Sequence, residues 1–219
     1  MLDFRSLAAS APALARGTAT TVGLILVVAV LGSVLSVAGA AVRRSRHRVV
    51  REAMAAYVEV IRNTPFLVQL FFIFFGLPSL GLRLGNVAAA ILAMTLNMTA
   101  YGIEVVRAGL DAVPRGQWEA GAALGLSRTR VFVSVVLPQA LRVIFPALTS
   151  QIIIIMLESA VVSQIAVQDL TYEADVLQAR TFRAFETYLV VTLIYLGLAT
   201  LMRRAMMAGA GHWLFRARV

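Results

Sequence analysis

The chain has no cysteine and no lysine, and only 14% of its 219 residues are charged. Without cysteine it can form neither disulfide bonds nor thiolate metal sites. Without lysine it cannot carry a P-loop, because that motif requires a lysine for the nucleotide phosphates. The two histidines, His47 and His212, lie far apart, and no HExxH or Ser–His–Asp pattern occurs. The sequence therefore predicts no cofactor, metal site or ATP chemistry in this chain.

Hydrophobic residues, in contrast, make up 60% of the sequence, with a mean hydropathy of +0.84. Soluble domains average about 45–50% apolar residues. The net charge of +9 comes entirely from arginine, and the arginines cluster beside the apolar runs. That arrangement is typical of the cytoplasmic loops of a membrane protein rather than of a nucleic-acid-binding domain.

Apolar runs of near-membrane length predict an all-α, polytopic protein with five transmembrane helices. A span needs about 20 apolar residues. The predicted spans are residues 18–42, 65–76 with an approach from 53–64, 87–106, 143–166 and 188–202. We expect a transmembrane domain over 17–205, an N-terminal segment over 1–16 and a C-terminal tail over 206–219.

Two arginine-rich stretches predict the orientation of the spans. One covers residues 43–51 and the other begins at Arg203. Because cytoplasmic loops carry an excess of arginine, the N-terminus is expected outside and the C-terminus in the cytoplasm. The polar stretch 167–187 is then an outside loop.

Residues 117–138 form a short segment rich in small residues between two apolar runs. Gly125 can end a helix in a left-handed cap, and Ser127 can cap the next helix. Pro138 interrupts that second helix because it lacks a backbone N–H. An ordinary alanine-rich helix–turn–helix would show the same local signals.

The segment resembles the cytoplasmic coupling loop, or EAA loop, of bacterial ABC importer permeases. The resemblance lies in Glu119, Ala120, Gly121, Gly125 and the later pair Leu137 and Pro138; Gly121 replaces the usual alanine. It implies a type I importer permease that pairs with an identical or related permease. Separate ATPase subunits would dock at the loop and bind the ATP and magnesium.

Polar side chains inside the predicted spans mark a candidate substrate path. Asn97, Tyr101 and Glu104 share one helix face. Gln151 and Glu158 share another face, with Ser159 beside them. Charged groups at membrane depth point into the bundle and are usually functional.

Thr64 lies in the sequence RNTP, which predicts a broken-helix corner. Glu59 and Arg62 lie three residues apart just before it and can form an ion pair. Either this pair is only interfacial, or the corner lies near the permeation path.

The stretch from Arg62 to Pro78 resembles the polar amino-acid subfamily of these permeases, similar to the histidine and glutamine permeases. The matching positions are Arg62, Thr64, Pro65, Val68, Gln69, Leu70, Gly76, Leu77 and Pro78. The resemblance implies amino-acid uptake across the bacterial inner membrane, fed by an extracytoplasmic binding protein. Where the subfamily reads Lys-Asp-Thr-Ser, this chain has Leu157-Glu158-Ser159-Ala160.

The changes at that place favour cationic or broadly polar substrates, because a carboxylate is kept and a lysine is absent. In the alternative interpretation, Glu158 is structural: either it pairs with an arginine, or it is protonated and packs inside the bundle.

Two other classes of function fit a membrane protein of this composition. A passive channel would need a charged or carbonyl-lined filter and no coupling loop. An intramembrane enzyme would need convergent catalytic groups, and only Glu104 and Glu158 lie at membrane depth. The coupling loop favours a transporter subunit that is not an enzyme.

Overall fold

The structure is a computed structural model that describes residues 9–214, with side chains described as far as residue 210. Its described part contains helices and turns and no strand. The helices are α1 (Ala11–Arg43), α2 (Arg48–Arg62), α3 (Phe66–Ser79), α4 (Asn86–Asp111), α5 (Arg115–Ala123), α6 (Arg128–Ile165), α7 (Leu170–Thr181) and α8 (Ala184–Leu214).

Four of these helices are long and apolar enough to cross a membrane: α1, α4, α6 and α8. Helices α2 and α3 pass the same test together, although a bend of 110° separates them. If that bent pair counts as one span, the described residues contain five. The predicted all-α, polytopic architecture is therefore confirmed.

Helices α1 and α4 pack closely because small residues line their contact. A Cβ atom built on Gly32 would lie 2.8 Å from the Met98 side chain, and one on Gly39 would lie 2.4 Å from Ile103. On the facing helix, Gly102 makes room for the Ser36 hydroxyl. Close approach through small residues is the usual way in which membrane helices associate.

The sharp corner between α2 and α3 is held by an amide side chain. The Gln69 amide nitrogen donates hydrogen bonds to the carbonyl oxygens of Ile61 at 2.8 Å and Thr64 at 2.9 Å. It thereby satisfies carbonyls that the end of a helix leaves without partners. Asn97 on α4 donates to the Gln69 oxygen at 3.1 Å, which ties the corner to the bundle.

A wide π turn precedes a Leu-Pro pair in two helices. In α3 the turn covers Phe72–Gly76 before Pro78, and in α6 it covers Phe132–Val136 before Pro138. A proline removes a hydrogen bond and its ring crowds the preceding turn, which a π turn can accommodate. Pro138 thus interrupts the regular hydrogen bonding, as predicted, and the helix continues beyond it.

The predicted outside loop over 167–187 differs from expectation, because most of it is helix α7. Asp169 caps this helix, accepting a hydrogen bond from the Tyr172 backbone N–H at 2.9 Å. Asp169 is fully buried, and burial raises its pKa to about 6. The polar composition of this stretch predicted a loop, whereas the structure has a short helix that packs against α1 and α8.

The predicted segment boundaries fall inside continuous helices. Helix α1 runs through position 16 and α8 runs through position 205. Residues 1–8 of the predicted N-terminal segment and 215–219 of the predicted tail lie outside the described residues.

Candidate functional site

The coupling segment has the backbone geometry that its sequence predicts. Gly125 has a φ of +73°, and its N–H bonds to the Ala122 carbonyl at 2.9 Å. The Leu126 N–H bonds back to the Gly121 carbonyl at 3.1 Å. These two bonds close α5 in a left-handed cap. Ser127 then caps α6 by accepting from the Arg130 N–H at 3.4 Å.

Gly121, the position where alanine is usual, has a steric reason to be glycine. A Cβ atom there would lie 2.6 Å from the Val131 side chain, which is buried on α6. Helix α5 can therefore lie closer to α6 than an alanine would allow.

The outward surface of this turn is open to a partner. Glu119 and Ala120 are exposed, and Leu124 is 79% exposed. A cavity of about 370 Å³ lies between α5 and α6. Its lining residues are Trp118, Glu119, Ala122, Leu126, Arg128 and Val131. Trp118 stacks on Phe132 with ring centroids 6.2 Å apart, which fixes the cavity wall.

Leu137 and Pro138 shape the helix that leaves the turn. Pro138 follows the π turn and is exposed, and Leu137 is half-buried. The Gln139 amide donates to the Val135 carbonyl at 2.9 Å and so satisfies part of the widened turn.

The stripe of Asn97, Tyr101 and Glu104 on α4 faces the corner of α2 and α3. Asn97 bonds Gln69, as described above, and the Tyr101 hydroxyl donates to the Arg62 carbonyl at 3.5 Å. Thr64, at the corner itself, is exposed and its hydroxyl donates to the Val60 carbonyl.

Tyr101 and Glu104 line a polar cavity of about 400 Å³, together with Arg43, Ala55, Val58, Glu59, Arg62 and Asn63. No ion pair joins Glu59 to Arg62 within residues 9–210, so that predicted pair does not form in the structure. Arg62 instead lies over the Tyr101 ring, 5.3 Å from its centroid. The corner therefore lies beside a cavity lined by charged side chains.

Glu104 is held by two arginines. Arg107 donates to it at 2.6 Å, and Arg43 on α1 lies 3.8 Å away. The Glu104 carboxylate is therefore ion-paired within the bundle, and its contact with Arg43 links α4 to α1.

Glu158 lies in a different environment, near the far end of α6. One of its carboxylate oxygens is buried and has no hydrogen-bond partner in the described part of the chain. Gln151 is buried on the same face, two turns earlier. The buried Ser159 hydroxyl donates to the Met156 carbonyl at 2.7 Å. Glu158 forms no salt bridge within the described part of the chain.

The two carboxylates among the candidate path residues, Glu104 and Glu158, lie at different depths. Gly102 meets Leu148 and Gly109 meets Ile144, so Glu104 lies level with residues 144–148 of α6. Glu158 is at least ten residues further along α6, or about 15 Å at 1.5 Å per residue. The outer ends of α4 and α6 meet where Asn86 donates to the Ala166 carbonyl at 3.3 Å.

Two structural residues were not assigned roles by sequence reasoning. Gln69 was recognised only as a motif position, although it holds the corner. Asp169 was counted as a loop acid, although an aspartate ahead of a helical stretch is a common N-cap signal. No group of three or more His, Asp or Glu side chains that could hold a metal ion occurs in the described part of the chain.

Membrane-length helices with charged side chains inside the bundle define a polytopic membrane protein. Residues 32–208 match the model of the family described as "Binding-protein-dependent transport system inner membrane component". The chain belongs to this family of multi-pass inner-membrane subunits. Its members are transport subunits rather than enzymes.

Curated relatives agree with this assignment. The chain is 36% identical to the L-cystine transport system permease protein TcyB of Bacillus subtilis, covering 84% of this chain and 79% of that protein. It is 34% identical to the arginine transport system permease protein ArtQ of the same organism, covering 89% of both. It is 33% identical to the nopaline transport system permease protein NocM of Agrobacterium fabrum, covering 100% of this chain and 95% of that protein.

Solved structures share the fold. A chain from the crystal structure of an amino acid ABC transporter with histidines has a TM-score of 0.89 and 34% identity, covering 95% of this chain and 97% of that one. A chain of the inward-facing MetNI methionine ABC transporter has a TM-score of 0.70 and 23% identity, covering 88% and 92%. The latter supports the type I importer permease fold alone.

Proposed function

We propose that this chain is the permease subunit of an ATP-driven importer of amino acids, oriented with its N-terminus outside and its C-terminus in the cytoplasm. The observation that carries the proposal is the turn from α5 to α6, which has a left-handed glycine cap and an exposed Glu119–Ala120 surface. A passive channel has no use for such a docking surface.

Two permease chains, identical or related, would enclose the path, and two ATPase subunits would bind the two coupling turns. ATP binding shifts the transporter only if the docked ATPase favours one state over another. The Trp118–Phe132 contact and the packing of Gly121 on Val131 make α5 and the start of α6 one rigid unit. A displacement of α5 would therefore be passed to α6 as a rigid-body motion.

Amino-acid substrates are supported by the names of relatives that transport cystine, arginine and nopaline. A binding protein would deliver the substrate at the outer ends of the helices. The Glu158 carboxylate, which has no ion-pair partner among the described residues, would receive a cationic group, either the α-ammonium or a basic side chain. The substrate would then pass the polar cavity beside Tyr101 and Glu104 on its way inward.

The proposal is tested by reconstituting the chain in vesicles with its ATPase and binding protein and measuring uptake of labelled arginine, glutamine and cystine. We expect uptake that requires ATP and the binding protein. Uptake that proceeds equally without ATP would instead establish a channel, and hydrolysis of a substrate by the chain alone would establish an enzyme.

The orientation is tested by cysteine labelling, since the native chain has no cysteine. A cysteine at Ser79 should react with an impermeant thiol reagent in intact cells, and one at Ser45 or Ser127 should not. Labelling of Ser45→Cys from outside would overturn the orientation.

A further inference from the structure

An apolar groove runs along the bundle at the end that carries the α5–α6 turn. It has a volume of about 420 Å³ and lies between α1, α4 and α6. Its lining residues are Val37, Ala40, Ala41, Arg44, Val106, Leu110, Phe132, Leu137, Leu141, Ile144 and Leu148. Arg44 is the one charged residue among them.

The groove is long and narrow rather than a rounded pocket. Leu137 and Leu148 are eleven residues apart on α6, which corresponds to about 16 Å of helix. Its floor is formed by the buried side chains of Ala40, Val106 and Ile144, whereas Val37 on the rim is exposed. A slot of this length suits a hydrocarbon chain that lies parallel to the helices.

Arg44 lies at the membrane-boundary end of this slot. It follows the last residue of α1 and contacts Asp111, the last residue of α4, at 2.5 Å. Val37 lies two turns deeper. One end of the groove therefore lies at the membrane boundary, beside the Arg44 guanidinium. The rest of the groove is an apolar slot that extends into the hydrocarbon region of the membrane.

The guanidinium of Arg44 retains hydrogen-bonding capacity. Asp111 is its one side-chain partner within the described residues, and Asp111 also accepts from Arg107 at 3.3 Å. A guanidinium has five donors and binds phosphate oxygens in a bidentate manner.

We propose that this groove is a binding site for one anionic phospholipid, with an acyl chain between α1, α4 and α6 and the headgroup phosphate on Arg44. The inference rests on the membrane orientation proposed above, which places Arg44 at the cytoplasmic leaflet. Charge complementarity selects the lipid, because an arginine near a membrane surface attracts anionic lipid.

Such a lipid would also contact the coupling machinery. Phe132 and Leu137 flank the π turn of α6, and both line the groove. The acyl chain would fill the space between this turn and α1, so that α1 follows the coupling turn when it moves.

The test measures lipid retention by the purified full chain, using native mass spectrometry with phosphatidylglycerol or zwitterionic phosphatidylethanolamine. Ala41→Trp places an indole in the groove and should abolish retention of both lipids. Val30→Trp is the matched control, because Val30 is exposed on α1 away from the groove. It should retain lipid as the unmodified chain does.

Charge substitutions separate the phosphate contact from the ion pair. Arg44→Gln should weaken phosphatidylglycerol binding about fivefold, the equivalent of 1 kcal/mol, and leave phosphatidylethanolamine little changed. Asp111→Asn breaks the same ion pair but keeps the cation, so phosphatidylglycerol should bind as well or better.

Three outcomes would overturn the proposal. Retention could be unchanged in both Ala41→Trp and Arg44→Gln. Asp111→Asn could weaken binding as much as Arg44→Gln does. Ala41→Trp could break permease dimers on size exclusion without loss of lipid, which would show that a second permease chain covers the groove. Because the assay uses neither ATP nor amino acid, its failure is distinct from failure of the transport proposal.

Discussion

The two ends of helix α6 depend on different physical properties. At the coupling end, backbone shape is decisive: Gly125 occupies a left-handed conformation, and Gly121 leaves no room for a methyl group beside Val131. At the outer end, we expect the carboxylate of Glu158 to matter most, because one of its oxygens is buried and has no hydrogen-bond partner among the described residues. The coupling end should therefore be sensitive to changes of shape, and the outer end to changes of charge.

A second carboxylate sharpens this contrast. Glu104 has the same chemical group as Glu158, but two arginines neutralise it. A satisfied charge in a bundle stabilises the packing of helices, whereas an unsatisfied one is available to a ligand or a partner chain. Substitution of the two carboxylates should consequently affect different measurements.

The largest effect is expected for Gly125→Val. A β-branched residue is strongly strained at a φ of +73°, so the turn would have to rearrange. We expect ATP-driven uptake to fall below about one tenth of normal, by more than the 1.4 kcal/mol that a tenfold loss represents. The copurifying ATPase should be lost or its hydrolysis uncoupled, and membrane insertion should remain intact.

Gly81→Val is the matched control for that substitution. Gly81 has a φ of +85° and, like Gly125, open space around its Cβ position, but it lies in the turn after α3 at the other end of the bundle. It should suffer similar backbone strain and still retain the ATPase. Equal loss of ATPase in both variants would show that strain anywhere in the bundle disturbs docking.

The next effect in size is loss of stability in Glu104→Gln. Breaking a buried ion pair costs about 3–5 kcal/mol, and an exposed pair costs about 0–1 kcal/mol. The Glu104 side chain is 18% exposed and that of Arg107 is 42% exposed, so the pair is intermediate between these cases. We expect the free energy of unfolding to fall by about 2 kcal/mol. Thermal unfolding in detergent measures it.

A double substitution with Arg107→Gln tests whether the pair is the cause. The double variant should lose less free energy of unfolding than the two single variants lose together. Additive losses would show that Glu104 is not coupled to Arg107.

Much of the coupling end could be predicted from sequence because its signals are local. Gly125 and Ser127 act within one turn of their own backbone, and both predicted caps are present. The steric reason for Gly121 could not be predicted, because Val131 reaches it only after the chain reverses direction.

The polar path was harder to predict because its contacts are distant in sequence. Helical spacing placed Asn97, Tyr101 and Glu104 on one face, but it could not show that Gln69, Arg62 and Arg43 meet them. The expectation of an ion pair between Glu59 and Arg62 was wrong for the same reason, because the Arg62 guanidinium lies over the Tyr101 ring instead.

Glu158→Gln should reduce uptake about tenfold, the equivalent of 1.4 kcal/mol for one lost charge contact. Shape and hydrogen bonding are kept, and ATPase docking and thermal stability should stay normal, because no intrachain salt bridge is broken. Uptake of several amino acids in vesicles provides the measurement, and Glu158→Asp, which keeps the charge, should recover part of the activity. If the complex instead dissociates, Glu158 is structural and pairs with the partner permease.

The smallest effect concerns pH and the cap of α7 at the outer end. Burial raises the pKa of Asp169 from its ordinary value to about 6. The folded state therefore favours the protonated form, and stability present at low pH is lost as the pH rises through about 6. Between about pH 5 and about pH 7 the free energy of unfolding should fall by about 1 kcal/mol from this group.

Asp169→Asn should flatten that pH dependence, because asparagine caps a helix without titrating. Thermal unfolding of both chains across this pH range, with Asp175→Asn as a nearby acidic control, isolates the contribution. A slope that persists in Asp169→Asn and disappears in the control would assign the titration to Asp175. In that case only Glu158 would support the expectation that the outer end of α6 is sensitive to charge, because the charge state of the buried Asp169 would have no effect on stability.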